Sequence, residues 1–430
     1  MRDGIISEQM KSRLIKAGLP ATYEELVALA ADSGIPVDIL FNEDGWRQLP
    51  TYLSKANLLS DATEVAIWET ANNRTVNDAL KMLADVAYGR VASLTLTIKD
   101  TAGNPIPDVT VRLDSAPTVG TDPTTGADGK IKLDTSGGTH TVYLVYPMGY
   151  SVESAQKSVQ VTGNTSLTVS DAARRAETTV FTLTEAKVFY IARFLSPVQF
   201  DIRGGGGSGC AVAVSGKSRS NEGGGQGGAG GYVNITGAVD VAGKLIRISP
   251  GSGGNPASTR FPSSSSTSPG NSSDGKRGGT TTLRVDDAVY QASGGAGGTS
   301  IVGTTYKKLS RNTDGGAAGG NNAGPGYAAE AKGEDGRYLF DDSTQARKGS
   351  GGGGANVDNE GSGYSGSAGE GGGTSGQSSD SGSYYDDYTG SNASDAGGSG
   401  AVCASRSAGA QANVISGKGG PGFVAFRKAV

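Results

Sequence analysis

The sequence predicts a multidomain chain: a small α-helical N-terminal module over residues 1–90, an antiparallel β-sandwich over 91–185, and a mainly-β glycine-rich domain with polyproline-II-like segments over 186–430. Three observations predict it. Apolar residues in the first ninety positions recur at helical spacing, as in Val76, Ala79, Leu80, Leu83 and Val86. From Leu94 onward they alternate with a period of two. Glycine density then changes: 13 of the 71 glycines precede residue 204 and 58 follow it, about one residue in four against a usual share of roughly 7%. A chain of 430 residues has room for several cores. A stretch one-quarter glycine lacks the side chains to fold mainly by burial, so backbone interactions must carry more of it.

Composition removes several classes of function. One histidine, His140, and two cysteines, Cys210 and Cys403, are too few for a histidine-based triad, a zinc ligand set or an iron–sulfur cluster. The net charge of −4, with no basic stripe interleaved with aromatics, argues against nucleic acid as the main partner. The apolar runs are strand-length, and MRDGIISEQM has no apolar signal-peptide core, so the expectation is cytoplasmic synthesis without membrane insertion. No cofactor and no metal are expected.

In the N-terminal module, Ile5–Ala17 reads as a helix ended by Gly18. Thr22 and Glu25 form a capping box ahead of Leu26, Leu29 and Ala30, and Thr75 with Asp78 opens the stripe that runs to Ala87. Such a stripe must meet a partner surface, either within a small bundle or across a self-association seam. The segment Leu53-Ser54-Lys55-Ala56-Asn57-Leu58-Leu59-Ser60-Asp61-Ala62-Thr63, followed by Thr75-Val76-Asn77-Asp78-Ala79-Leu80, resembles a segment common in phage tail and tail-fibre proteins. The resemblance implies a virion structural protein that docks on the tail or baseplate through residues 1–90, as a homo-oligomer, specifically a trimer.

In the sandwich region, Leu94, Leu96 and Ile98 alternate with polar residues, and after the turn at Asp100–Pro105 so do Val109, Val111 and Leu113. Further strands are expected at Lys130–Asp134, Thr139–Tyr146, Ser158–Thr162 and Thr178–Leu183, the spacing of a sandwich of about a hundred residues. Asp100–Arg112 followed by Thr125–Ile131 resembles the carboxypeptidase-regulatory-like, transthyretin-like sandwich, in which the glycines serve turns and the domain is mostly a spacer. Some relatives carry a Lys–Asn isopeptide bond, but Thr178–Leu183 offers no asparagine. His140 heads a strand and reads as an ordinary surface residue, with no partner in view for a general base.

Glycine clusters recur from Gly204 to the end. Collagen is excluded because no strict G-X-Y register persists. A flexible linker would not need the β-branched and aromatic stretches Tyr232–Val241, Lys244–Ile248, Thr280–Val285, Ala288–Ala292 and Gly422–Arg427. A folded domain remains, in which extended glycine segments lie close enough for neighbouring backbones to hydrogen-bond. Ordering them costs about 1–2 kcal/mol per residue in backbone entropy, which dense pairing must offset. Val198–Gly207, Gly227–Val233, Leu245–Gly254 and the closing Gly417–Arg427 follow the order of phage glycine-rich tail-fibre domains. That resemblance implies a distal adhesin domain that contacts the host cell.

Sugars are gripped by aromatic faces together with carboxylates or amides, since their C–H patches stack on rings and their hydroxyls need hydrogen-bond partners. The candidate receptor-binding residues are therefore Tyr384, Tyr385, Asp386, Asp387 and Tyr388, then Tyr338 and Phe340, then Arg260 and Phe261; a solvated loop, or tyrosines packed inward, is the competing reading. Gly216-Lys217-Ser218 is no P-loop, because Ala211 stands where the motif needs glycine. Cys210 and Cys403 sit beside alanine and valine and read as small buried hydrophobes, with a disulfide after release left open. The expected function is a tail fibre or receptor-binding protein of a phage or phage-tail-like particle, located in the virion. It would adhere without catalysis to a bacterial cell-surface receptor, a glycan or a surface protein. The alternatives are a structural baseplate or fibre connector and a polysaccharide depolymerase; the adjacent Asp386 and Asp387 suit the last poorly, since neighbouring strand residues point to opposite faces.

Overall fold

The computed structural model describes residues 92–215, 222–263, 270–303, 315–320, 332–357, 363–379, 387–406 and 410–430, together with Ala28. Among the described residues the fold is nearly all β, with 44% strand, 2% helix and no helix of seven or more residues. This corrects the expected fold class: a small α-helical N-terminal module is not supported. Apart from Ala28, the segments that motivated it lie outside the described residues. Short amphipathic helices are marginal without a packing partner, and apolar spacing alone does not supply one.

Two compact units divide the chain. The described residues of one are Ala28, 92–95, Lys132–His140 and Val159–Leu167. Within it, Ser93 Oγ and Asn164 Oδ1 are 2.8 Å apart, Thr139 donates to Gln160 Oε1 at 2.6 Å, and half-buried His140 has Nε2 2.9 Å from Ser136 O. The other comprises Leu96–Ile131, Thr141–Ser158 and Thr168–Val430.

The expected sandwich region forms two sheets. One has the order Lys130–Thr135, Ala92–Asp100, Asn164–Arg174, Tyr150–Val152; the other runs Thr110–Leu113, Gly138–Val145, Gln156–Val161. Leu94, Leu96 and Ile98 are fully buried while Thr95, Thr97 and Lys99 are not, as the period-two pattern requires. The turn after Asp100 is closed by its own carboxylate, whose Oδ1 accepts from the Ala102 and Asn104 amides, while Oδ2 accepts from Arg174 Nε at 2.8 Å. Gly129 sits at φ +72°, where any side chain would strike the Ile98 carbonyl. The last strand expected for this region, Thr178–Leu183, forms over Phe181–Leu183 and pairs with the C-terminal strand Phe423–Lys428.

The glycine-rich part starts from two antiparallel sheets, Val233–Ile235, Val198–Arg203, Phe423–Lys428, Phe181–Leu183 and Ala288–Ala292, Thr281–Val285, Ile246–Ser249, Lys187–Phe189. Their large side chains form its main core. Phe426 stacks on Phe181 with centroids 4.7 Å apart and packs against Phe189 and Phe200, beside Ile202, Ile246, Ile248 and Leu283.

Extended glycine segments lead away from these sheets, and their amides change partner at every residue. Gly204, Gly207 and Cys210 donate to Tyr232, Ala229 and Gln226; Gly205 and Ser208 donate to Gly279 and Lys276; Gly206 donates to Gly420. The segment at 227–232 repeats the scheme: Gly227 and Gly230 donate to Gly320 and Ala317, Gly228 and Gly231 to Ser399 and Ala396, Ala229 and Tyr232 to Ala296 and Ser293. Partners recur every third residue, which is the period of polyproline II. A bundle of such segments is held by main-chain bonds in three directions around each one. It needs glycine because the segments nearly touch: a Cβ on Gly206 would lie 1.9 Å from Gly397 O.

Past the bundle, three further sheets close the domain. They are Gly270–Ser273, Ala211–Ser215, Val402–Arg406, Gln377–Ser379; then Ser300–Gly303, Glu222–Gly225, Ala355–Val357, Gly363–Ser365; then Ser258–Arg260, Asn413–Ile415, Tyr388–Thr389. Their cores use small residues, among them Ala211, Ala213, Val402 and Ala404 on one side and Cys210, Val212, Val357 and Cys403 on the other.

Candidate functional site

Register decides where the strand ends of these three sheets stand. Ala211–Ser215 runs parallel to Val402–Arg406, so Ser215 lies beside Arg406, while the antiparallel Gly270–Ser273 begins opposite Val214. Glu222 stands opposite Gly303, and Val357 opposite both Gly223 and Gly363. Arg260 pairs with Asn413, and Tyr388 with Val414. The first sheet packs against both of the others. They therefore share one end, at the opposite side of the glycine bundle from the Phe426 core.

Two of the sequence candidates, separated by more than a hundred residues, meet here. In the three-stranded sheet, alternation turns Val414 inward, fully buried, and leaves Arg260 and Asn413 outward. Arg260 Nε donates to Asn413 Oδ1 at 3.0 Å, and Asn413 donates from its Nδ2 at 2.9 Å and its backbone N–H at 2.7 Å to Asp387 Oδ1. One asparagine thus holds an exposed guanidinium and an exposed carboxylate side by side.

The flanking aromatics serve the fold. Phe261, one residue past Arg260, is buried in the alanine-rich core with Arg406 over its ring at 5.7 Å. Tyr388 is half-buried against the same core, its hydroxyl donating to Ser378 O at 3.1 Å, and burial raises its pKa. Tyr384, Tyr385 and Asp386 lie outside the described residues.

Tyr338 and Phe340 are placed elsewhere, at the root of the bundle. Arg203 and Asp201 are fully buried and paired, Nε to Oδ1 at 2.6 Å and Nη2 to Oδ2 at 2.8 Å. Arg203 also donates to Lys348 O and Tyr338 O, and Asp201 accepts the Phe340 amide at 2.8 Å. Phe340, at φ +56°, is buried beside Phe423 and Ala396 beneath Arg427, 4.5 Å from its ring centroid. Tyr338 lies under Arg347 at 4.4 Å. These contacts tie a loop to the C-terminal strand and leave Phe340 no free face.

The remaining features add no chemistry. Cys210 and Cys403 are free and buried, and burial pushes the Cys210 thiol up to about 12. A groove of about 460 Å³ beside the C-terminus contains Arg427 and Lys428, which are already paired with Asp342 and Glu177. Among the described residues, no group of three or more His, Cys, Asp or Glu side chains is placed to hold a metal.

Residues 188–429, more than half of the chain, match the model of the glycine-rich domain family. The chain belongs to the glycine-rich domain family. In this glycine-rich domain the family match takes in the bundle and the strands of the sheets at both of its ends, except Phe181–Leu183 and the first residue of Lys187–Phe189. Among solved structures, a streptococcal ancillary pilin is 15% identical and covers 50% of this chain, with a TM-score of 0.18; the likeness takes in 59% of the pilin's own length, under two thirds. A DUF3823 family protein from Parabacteroides merdae is 9% identical over 37% of this chain and 89% of its own, with a TM-score of 0.13. At such TM-scores neither carries an argument. No curated protein matches.

Sequence reasoning missed Asn413. Its signal was faint: a polar residue ahead of Val414-Ile415 in a strand of three residues, too short for periodicity to be read.

Proposed function

We propose that this chain is a tail fibre or receptor-binding protein of a phage or phage-tail-like particle, and that its glycine-rich domain adheres to a glycan on the bacterial surface. The single observation that carries the reading is the shared end of the three outer sheets, which presents Arg260, Asn413 and Asp387 outward at the far side of a backbone-held bundle. A bundle joined by main-chain bonds in three directions resists shear and leaves strand ends free to vary, which is what an adhesin requires. Attachment to the particle falls to residues 1–90, and assembly is as a homo-oligomer, a trimer by the sequence resemblance. The reading is of a binder, not a catalyst: Asp387 is already engaged by Asn413 on one oxygen, an arrangement that orients a ligand rather than cleaving one.

Fluorescently labelled full-length chain, titrated against the bacterium that the particle infects, tests this. Saturable binding that falls when surface polysaccharide is stripped is expected. A folded chain that shows no saturable binding to that bacterium refutes adhesion, and binding unaffected by stripping refutes the glycan.

A further inference from the structure

Among the described residues, Arg260, Asn413 and Asp387 form a chain of hydrogen bonds whose middle member is engaged through both its carbonyl and its amide group. Asn413 Oδ1 is taken by Arg260 Nε, and its Nδ2 is given to Asp387 Oδ1. The asparagine amide fixes both neighbours through groups that a ligand does not need. What remains for a ligand is the Nη edge of an exposed guanidinium, which can only donate, and Asp387 Oδ2, which can only accept. The sheet supplies the rigidity: Val414 is fully buried beneath, and Arg260 and Asn413 are register partners on adjacent strands.

Building on the glycan-adhesion reading, we infer that this Arg260–Asn413–Asp387 row is the contact point for a neutral sugar bearing vicinal hydroxyls. Two adjacent hydroxyls match a donor edge beside an acceptor: one accepts from the guanidinium and the other donates to the carboxylate. An anionic group would gain from Arg260 and lose against Asp387, so the row favours an uncharged diol. Guanidinium donors and carboxylate acceptors make stronger hydrogen bonds to hydroxyls than neutral groups do.

The test uses the full-length chain and the same bacterium, untreated or oxidised with periodate, which cleaves vicinal diols. The wild type is expected to lose most of its binding after oxidation. Arg260→Gln and Asp387→Asn are each expected to weaken binding to untreated cells by about tenfold, the scale of losing one hydrogen bond to a charged group. Both side chains are exposed, so melting temperatures are expected to be unchanged, and should one variant melt early the other decides. Wild-type binding that survives periodate overturns the diol. Folded Arg260→Gln and Asp387→Asn chains that bind like the wild type overturn the site. Either result can occur while the wild type still adheres to cells, so adhesion stands or falls separately.

Discussion

Replacing Gly206 by alanine tests whether backbone contact holds the bundle. The added Cβ would lie 1.9 Å from Gly397 O, 2.4 Å from its carbonyl carbon and 2.8 Å from Ala396 O. Real Cβ contacts stay beyond 3.0 Å, so the 396–397 backbone must retreat by about 1 Å, and no side chain is available to yield instead. That segment is held by Gly231 N to Ala396 O at 2.9 Å, Ala396 N to Pro421 O at 2.8 Å and Gly420 N to Gly397 O at 2.8 Å, with Ser399 N to Gly207 O at 3.0 Å beyond. A retreat of about 1 Å breaks most of them. At about 1 kcal/mol net for each, and more where a buried group is left unpaired, the loss is about 4 kcal/mol or greater, a large share of a domain's usual 5–15 kcal/mol. The expected fall in melting temperature is about 10 °C or more. Gly237→Ala is the control. Gly237 is exposed, with nothing within 4 Å of an added Cβ and no positive φ, so alanine there is expected to be neutral or to stabilise by up to about 1 kcal/mol. Calorimetric scans of the two variants and the wild type decide the matter. A Gly206→Ala chain that melts within about 3 °C of the wild type refutes the account of the bundle as backbone packed on backbone.

Two further outcomes follow from the root of the bundle. Arg203→Met leaves Asp201 buried without its cation, with only the Phe340 amide as partner, and takes the guanidinium donor from the Tyr338 and Lys348 carbonyls, with an expected loss of about 3–5 kcal/mol by chemical denaturation. Replacing both partners by leucine recovers only part of it, because those carbonyls still lack the guanidinium hydrogen bonds; full recovery refutes their role. The Asp342 carboxyl is held at about 2, below its ordinary 3.8, first by the hydrogen bond from Arg427 and then by Thr344. A depressed folded pKa stabilises above the unfolded value and is lost as pH falls toward the folded one, so this contribution disappears between about pH 4 and pH 2. Melting temperature measured across that window is expected to fall more steeply for the wild type than for Asp342→Asn; parallel curves refute the coupling.

The legible parts of the sequence were those where side chains do the folding. Ala288–Ala292 matches its expected range, and Thr281–Val285 and Phe423–Lys428 lie within a residue of theirs, because β-branched and aromatic residues facing the Phe426 core leave a period-two record. Glu222–Gly225 was illegible: three glycines in a row carry no periodicity, and their strand exists because Ser300–Gly303 and Ala355–Val357 flank it. Asn164–Arg174 also escaped, its alternation diluted by threonine, serine and alanine. Of the candidate residues, Arg260 and Asp387 were chosen for their type and proved to be neighbours, whereas Phe261 and Phe340, chosen for the same reason, are buried.

By itself, the sequence determined that the second half of this chain had to be held by its backbone, since one residue in four there brings no side chain to a core. It also determined, through its valines and phenylalanines, where strands would bracket the glycines. Only the tertiary structure decided which glycine segment lies against which. A polyproline-II segment offers amides in three directions, and identical glycines do not distinguish one neighbour from another; the register of the sheets at either end does, and the same register sets Arg260 beside Asn413 and Asp387.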